Sequence, residues 1–380
     1  MTDLLRCALP LDPDPELAAL ARRPFLADHV CQALTEARRQ PTHATPNLAR
    51  WLRKTRRLGS RDRRTVSELV HGVIRHEAIL LTAGARSDVE LVQRYADVLD
   101  GDRFSTLPGT SPVEEYATAL NVPGPVASAW LDALGADEAV AYAQAINARP
   151  PLTIRCNRLK GDRDTLAGLL QEAGVDTIAA PTPDGLIVTG RANLQGLEAF
   201  KQGWFEIQDV SSQRLCEAIP LHPDGWVLDL CAGAGGKSLA LAARGGAVHA
   251  FDIRDDALNQ LEKRALRAGA SIVIDSPAPA PVVLVDAPCS GSGRLRRNPA
   301  LRWGLDAAAH LQTQAEVLAA GAQMVQPGGL LIYATCSVLP AENAHQPPGA
   351  GWNERETQTL WPHRDGTDGF FWRMWERTGP

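Results

Sequence analysis

Trp226-Val227-Leu228-Asp229-Leu230-Cys231-Ala232-Gly233-Ala234-Gly235-Gly236-Lys237-Ser238 is the stretch on which the fold of this 380-residue chain turns. Residues 226–230 form a short apolar run of the length and composition of a buried strand. A glycine-rich turn follows, and residues 238–243 open a helix. Downstream the same beat repeats. Residues 247–251 read as a strand, and 255–268 as a helix with Gly269 as its C-terminal stop. Residues 282–285 read as a strand and 306–325 as a long helix, after which Pro327-Gly328-Gly329 turns into a strand at 330–334. Strands and helices alternating in this way predict an α/β fold, a doubly wound parallel sheet whose ligands sit at the carboxyl ends of its strands.

Two of these strands carry cysteines to that rim: Cys289 in Asp286-Ala287-Pro288-Cys289, and Cys336 in Thr335-Cys336-Ser337. Two thiols on one rim of a cofactor-binding sheet suit covalent chemistry better than structure. The glycine turn lets backbone approach a ligand while the helix amides behind it point at the same place. A triphosphate loop is a rival reading, because Gly236-Lys237-Ser238 copies the end of that motif. It needs glycine where this chain has Cys231. Asp252 ends the second strand, where an acid accepts hydrogen bonds from ribose hydroxyls; it also stands where a helix N-cap would stand.

Upstream, residues 1 to about 100 carry helical signals, and Val66, Leu69, Val70, Val73 and Ile74 recur at helical spacing behind a helix start at Ser60. Residues 101–112, rich in Gly, Pro, Ser and Thr, read as a linker. From 112 to 205 the pattern is that of a small α/β unit, with strands at 151–157 and 185–189 and a helix at 164–173 ended by Gly174.

A hydrophobic fraction of 44% and a charged fraction of 22% are those of an ordinary globular protein. No apolar run approaches the ~18 residues of a membrane span, and the N-terminus lacks the pattern of a signal peptide. Seven widely spaced cysteines do not make a disulfide framework, so a cytoplasmic setting is expected. None of the nine histidines has metal-ligand spacing near the motifs, and no metal is expected. The net charge of −5 hides two basic clusters. One runs from Arg50 to Arg64 and includes Arg56 and Arg57; the other, Arg294, Arg296, Arg297 and Arg302, begins five residues after Cys289. Beside a reactive thiol, the second cluster points to an anionic substrate.

The glycine loop, Asp-Ala-Pro-Cys and Tyr333-Ala334-Thr335-Cys336-Ser337, in this order, make the chain resemble the RNA (cytosine-5)-methyltransferases. The likeness is strongest to bacterial 16S ribosomal RNA enzymes with a helical domain similar to the antiterminator NusB. It extends through Glu68-Leu69-Val70-His71-Gly72-Val73-Ile74-Arg75, residues 149–157, Gln208-Asp209 and Asp368-Gly369-Phe370-Phe371. It implies a Rossmann-like class I methyltransferase sheet over 206–380, preceded by a small α/β unit over 112–205 and an all-α NusB-like domain over 1–105. The expected protein is a monomer acting on RNA, either 16S rRNA or a small-subunit precursor.

The resemblance also implies roles. Cys231, Ala232, Gly233, Ala234, Gly235, Gly236 and Lys237 would wrap S-adenosylmethionine, with Asp252 on its ribose and Asp275 near its adenine. Asp286 would lie near the reacting centre, with Lys237 orienting it or the base. Cys336 would be the nucleophile and Cys289 would assist product release. Arg56, Arg57, Arg294, Arg296, Arg297 and Arg302 would bind RNA. Three departures stand out. Gly233 and Ala234 replace the family's Ala-Pro, which loosens the loop; residues 271–281 are short and proline-rich; and Pro347-Pro348 should interrupt the helix that follows Ala341-Glu342-Asn343. Three other readings stay open: a DNA cytosine-5 methyltransferase, a methyltransferase for tRNA or another RNA, and an RNA-binding ribosome-assembly factor that keeps the fold.

Overall fold

The computed structural model describes residues 13–40, 44–102, 111–190, 192–221, 225–275, 277–306, 308–345, 347 and 349–379. The chain forms two compact units, Met1–Arg149 with Ser290–Ala308, and Pro150–Cys289 with Ala309–Pro380. No helix among the described residues is long and apolar enough to cross a membrane.

The first unit is built from helices Pro15–Ala21, Pro24–Arg38, Ala44–Lys54, Ser60–Thr82, Asp88–Leu99, Pro112–Leu120 and Gly124–Asn147. Ser60–Thr82 starts where the sequence predicts, and its periodic residues Val66, Leu69, Val70, Val73 and Ile74 are all buried. Within the expected small α/β unit, Pro112–Leu120 and Gly124–Asn147 are helices, and the first strand is Leu152–Cys156. Pro112 is the first residue of a helix that Ser111 and Glu114 close with a capping box. Most of the expected linker, residues 103–110, lies outside the described residues, as does Cys7. Ser290–Ala308 contributes two short 3-10 turns, Ser292–Arg294 and Pro299–Gly304. Ala300 joins the helical core and Trp303 packs against it, its indole N–H donating to Glu77 at 2.6 Å.

The second unit holds two sheets. In the smaller, β1 (Leu152–Cys156), β2 (Thr177–Ala179), β3 (Gly185–Val188) and β4 (Phe205–Ile207) pair antiparallel in the order β2-β3-β1-β4. Helix Arg163–Glu172 packs Leu166 and Leu170 into their core.

The larger sheet contains β5 (Trp226–Asp229), β6 (Ala247–Ala250), β7 (Val273–Ile274), β8 (Ala280–Asp286), β9 (Val325–Thr335), β10 (Trp352–Leu360) and β11 (Phe370–Arg377), in the order β10-β11-β9-β8-β5-β6-β7. Strands β5 to β9 run parallel, as the alternation predicts. The chain crosses from β7 on one side of β5 to β8 on the other, so the carboxyl ends around β5 form a switch-point crevice. One face buries Val227, Leu284, Ile332 and Trp372; the other buries Leu228, Val283, Leu331 and Trp375.

Three elements differ from the sequence reading. The long helix is confined to Leu311–Gln323. Pro327-Gly328-Gly329 is a bulge inside β9 rather than a turn before it. Two residues of β8, Ala280 and Val282, pair with Val325 and Leu330, so between these pairs β9 carries four residues against β8's one. The sheet is mixed, because β11 pairs antiparallel with both β9 and β10. β10 is an edge strand of mostly polar residues, and without an apolar face it gives no strand signal.

Candidate active site on the carboxyl rim of the large sheet

The parallel register of β9, β8, β5 and β6 brings four chain segments to one rim. β5 runs into the glycine loop, β6 into Asp252, β8 into Asp286 and Cys289, and β9 into Cys336.

The loop is tied to the next strand, with the Ala232 amide donating to the Phe251 carbonyl at 2.9 Å and the Gly233 amide to Asp252 Oδ2 at 2.8 Å. Gly233 and Gly235 have φ of 54° and 79°, and a Cβ on Gly235 would lie 2.6 Å from Leu261 Cγ, so no other residue fits there. Asp252 is buried and its carboxylate holds the loop. Oδ1 accepts from the amide and the Nε of Arg254, each at 3.0 Å. Burial pushes its pKa up, and the bonds from Arg254 and Gly233 outweigh that, leaving it below the usual carboxylate range. Asp252 is not the N-cap of the following helix. Arg254 occupies the N-cap position of Asp255–Ala268 without a side-chain capping bond, and Asp252 precedes it by two residues.

Asp229, at the end of β5, is buried and accepts from Ser238 Oγ at 2.6 Å on one oxygen. Its other oxygen has no partner among the described residues. Burial lifts its pKa to about 7, against the Ser238 bond and with the nearby charge of Asp286. An unsatisfied buried carboxylate oxygen behind a glycine cradle suits a ligand with a cationic group.

Lys237 Nζ lies 2.5 Å from Asp286 Oδ2, and 5.2 Å from the centre of the Phe370 ring. Its side chain is only 11% exposed, so Lys237 is held in the site instead of facing water. Burial works against its charge, Asp286 outweighs burial, and its pKa is raised.

Cys289 Sγ and Cys336 Sγ are 3.4 Å apart. Behind them runs a buried polar frame. Gln314 Nε2 donates to the Pro288 carbonyl at 3.0 Å and to Glu342 Oε1 at 3.1 Å, and the other Glu342 oxygen accepts from Ser337 Oγ. Tyr333 OH donates to the Glu342 carbonyl at 2.7 Å, and Thr335 Oγ1 to Asn343 Oδ1 at 2.7 Å. Gln314 and Glu342 are both fully buried. The frame therefore grips the residue before Cys289 and the residue after Cys336. Sequence reasoning missed it. The available signal was a glutamine on the buried face of a helix, one turn before Leu318.

The remaining residues divide clearly. Burial pushes the Cys231, Cys156 and Cys216 thiols up to about 12, away from the thiolate form that a nucleophile needs. Asp275 follows β7 at the sheet margin, half exposed, 3.5 Å from His249 Nδ1. No group of metal-ligating side chains occurs among the described residues. In the helical unit Arg56, Arg57 and Arg294 are exposed and Arg297 is partly so. Arg302 is a correction. It is buried, and its guanidinium donates to the carbonyls of Leu120, Leu295 and Ile146 and to Asn147 Oδ1, so it closes helix ends instead of facing a phosphate. Arg296 is also buried, at 5% exposure, with its carbonyl accepting from Arg75. The helix after Thr-Cys-Ser ends at Asn343, as the proline reading expects; Gln346 and Pro348 lie outside the described residues.

Comparison with known proteins agrees with this architecture. Residues 217–347 match the family described as 16S rRNA methyltransferase RsmB/F, and residues 123–195 match a ferredoxin-like domain of RsmF/B-like methyltransferases. Ribosomal RNA small subunit methyltransferase B of Salmonella arizonae is 34% identical, and that of Salmonella paratyphi B 35%, each match covering 60% of this chain and 60% of the relative. The chain thus matches about 60% of the length of these curated relatives. Among solved structures, PH0851 superposes with a TM-score of 0.73 at 22% identity, covering 92% of this chain and 98% of that one. NSun6 from Pyrococcus horikoshii, solved with SFG, gives 0.59 at 19% identity, covering 68% and 99%. Both likenesses are of fold.

Proposed function

We propose that this chain, whose residues 217–347 match the family described as 16S rRNA methyltransferase RsmB/F, methylates carbon 5 of a cytosine in RNA, with 16S rRNA the preferred substrate. The observation that carries the reading is the pair of rim thiols in contact, Cys289 and Cys336, on the strands next to the glycine loop. S-adenosylmethionine supplies an electrophilic methyl group when bound. The glycine loop and the unpaired oxygen of Asp229 suit its amino-acid and sulfonium end, and the carboxylate of Asp252 suits its ribose hydroxyls.

Carbon 5 of cytosine is a poor nucleophile within an aromatic ring. Cys336 gives its proton to the Asp286 carboxylate and adds as thiolate to carbon 6; a sulfur–carbon bond forms, the ring electrons concentrate at carbon 5, and carbon 5 takes the methyl group as its bond to the sulfonium sulfur breaks. Charge moving toward the ring N3 is met by Asp286, which passes the proton taken from Cys336 to that nitrogen and recovers it when the adduct breaks down, while Lys237 holds the carboxyl in place. Cys289 then accepts the carbon 5 proton or passes it to water. The carbon 5–carbon 6 double bond re-forms and Cys336 leaves. A base in this site has left its stack, so a loop or a flipped nucleotide is the substrate. The helical unit, read as NusB-like, contributes Arg56 and Arg57 as phosphate contacts.

The test is transfer of labelled methyl from S-adenosylmethionine to small-subunit rRNA, with Cys336→Ala alongside. Label recovered as 5-methylcytosine with wild type alone is the expected result. Label in another base, or in equal amount with the variant, overturns the reading.

A further inference from the structure

The glycine loop draws little stiffness from its own sequence, since Gly233 and Gly235 sit at positive φ with Ala234 between them. It is gripped from outside. Arg264, on helix Asp255–Ala268, donates from Nη1 to the Ala234 carbonyl and from Nη2 to Glu206 Oε2 at 2.9 Å. Glu206 lies on β4 of the small sheet and is 5% exposed. Its other oxygen accepts from Arg267, whose guanidinium lies 4.0 Å from the centre of the Phe200 ring. Just past β4, Gln208 makes a second tie. Its Nε2 donates to the Gly236 carbonyl at 3.1 Å, while Arg155 Nε donates to its Oε1 at 2.7 Å. Two carbonyls of the loop are thus bound by side chains that the small sheet holds in place.

Burying Glu206 costs desolvation, which two guanidiniums offset. Neutralising it takes only charge, whereas Arg264 also has a direction: one arm is fixed by the carboxylate, and the other ends on the loop. Charge-assisted hydrogen bonds of this kind are the strong ones.

We propose that Arg264 is a positioning residue for the cofactor loop, locked by Glu206 so that the loop amides keep their cofactor-receiving conformation, and that affinity for the cofactor is thereby set from the small sheet. This rests on S-adenosylmethionine as the ligand of that loop. Its chemistry is a pre-organisation effect: without the tie, the ordering of two glycines is charged to each binding event.

The experiment is calorimetric titration of the full chain with S-adenosylhomocysteine, for wild type, Arg264→Met, Arg264→Lys and Glu206→Gln, followed by initial rates at varied S-adenosylmethionine. Arg264→Met keeps the aliphatic stem and is expected to weaken binding about tenfold, the scale of one charge-assisted bond. Arg264→Lys, which retains a donor for Ala234, should recover part of it. The kinetic loss should fall on KM for S-adenosylmethionine more than on kcat or on KM for RNA, a split that general damage to the fold does not give. Unchanged affinity in Arg264→Met overturns the inference, as does a loss spread equally over all three kinetic parameters. If a thermal melt shows Arg264→Met unfolded at the assay temperature, Glu206→Gln decides, with unchanged affinity again overturning it. No binding by wild type overturns the cofactor reading itself, which separates the two failures.

Discussion

Cys289 Sγ lies 3.4 Å from Cys336 Sγ, so the two rim thiols touch although they are 47 positions apart in the sequence. At that separation one thiol can add to a base while the other stays within reach of the atom bonded next to it. The proposed chemistry uses this division of labour. Cys289→Ala removes only the late step, so Cys336 should add and methylate but fail to leave. The expected outcome is an RNA–protein species that survives denaturing electrophoresis, is absent with Cys336→Ala, and is absent again in Cys289→Ala/Cys336→Ala. Free turnover by Cys289→Ala at the wild-type rate would remove Cys289 from the mechanism.

Gln314 is a sharper test of the frame behind the thiols. Its amide nitrogen serves the Pro288 carbonyl and Glu342 together, and both Gln314 and Glu342 are fully buried. Gln314→Leu keeps the volume and leaves those acceptors short of a donor, a cost of about 1–3 kcal/mol for each buried group left unpaired. The melting temperature should fall, and kcat should fall further than KM for either substrate, because the Pro288-Cys289 and Cys336-Ser337 segments lose their common anchor. A variant with lowered stability but wild-type kcat would reduce the frame to a packing element.

The parallel sheet and its rim were legible in the sequence because each strand there is apolar, short and followed by its functional residue. Asp286, Cys289 and Cys336 could be placed from that alone. What was not legible depends on side chains meeting across long separations. Gln314 reads as one more polar residue of a helix until Glu342 is seen 3.1 Å away. Arg302 reads as one of four clustered cations until its fork is found closing the ends of two helices. Charge density in a sequence says nothing about which cations face water. β10 was missed for the opposite reason: an edge strand needs little apolar surface, so Trp352–Leu360 carries almost none.

Acid should weaken the helical unit through His76. The ring is 2% exposed, stacks on Tyr95 at 5.9 Å, and has an Nδ1 without a partner among the described residues. Burial, with the charges of Arg75 and Arg302 adding to it, holds its pKa well below the ordinary 6.5. The folded state therefore binds this proton later than the unfolded state does. The stability involved is complete above pH 6.5 and is lost as pH falls below it, at about 1.4 kcal/mol per pH unit for a single group. His71, which burial lowers to about 4 with Arg75 adding, acts in the same direction. Thermal melts at pH 7.5 and 5.5 should show a drop that His76→Phe makes shallower; a drop of unchanged size in the variant would assign acid sensitivity elsewhere.

Exposure divides the arginines into two classes that salt can separate. Arg56 and Arg57 are exposed beyond the end of helix Ala44–Lys54, whereas Arg302 is sealed inside the same unit. Phosphate contacts release counterions, so each one lost flattens the dependence of log affinity on log salt by about 0.7–0.9. Arg56→Glu/Arg57→Glu should weaken RNA binding most at low salt, with a shallower slope and a wild-type melting temperature. Arg302→Met should do the reverse, lowering the melting temperature by exposing four acceptors to loss of their donor while leaving the salt slope of the folded fraction as in wild type. Filter binding across a salt series, paired with melts on the same samples, reads both quantities. A slope unchanged by reversing Arg56 and Arg57 would make that run an ordinary solvated surface and move the RNA path to Arg294 and Arg297, the exposed and half-exposed members of the other cluster.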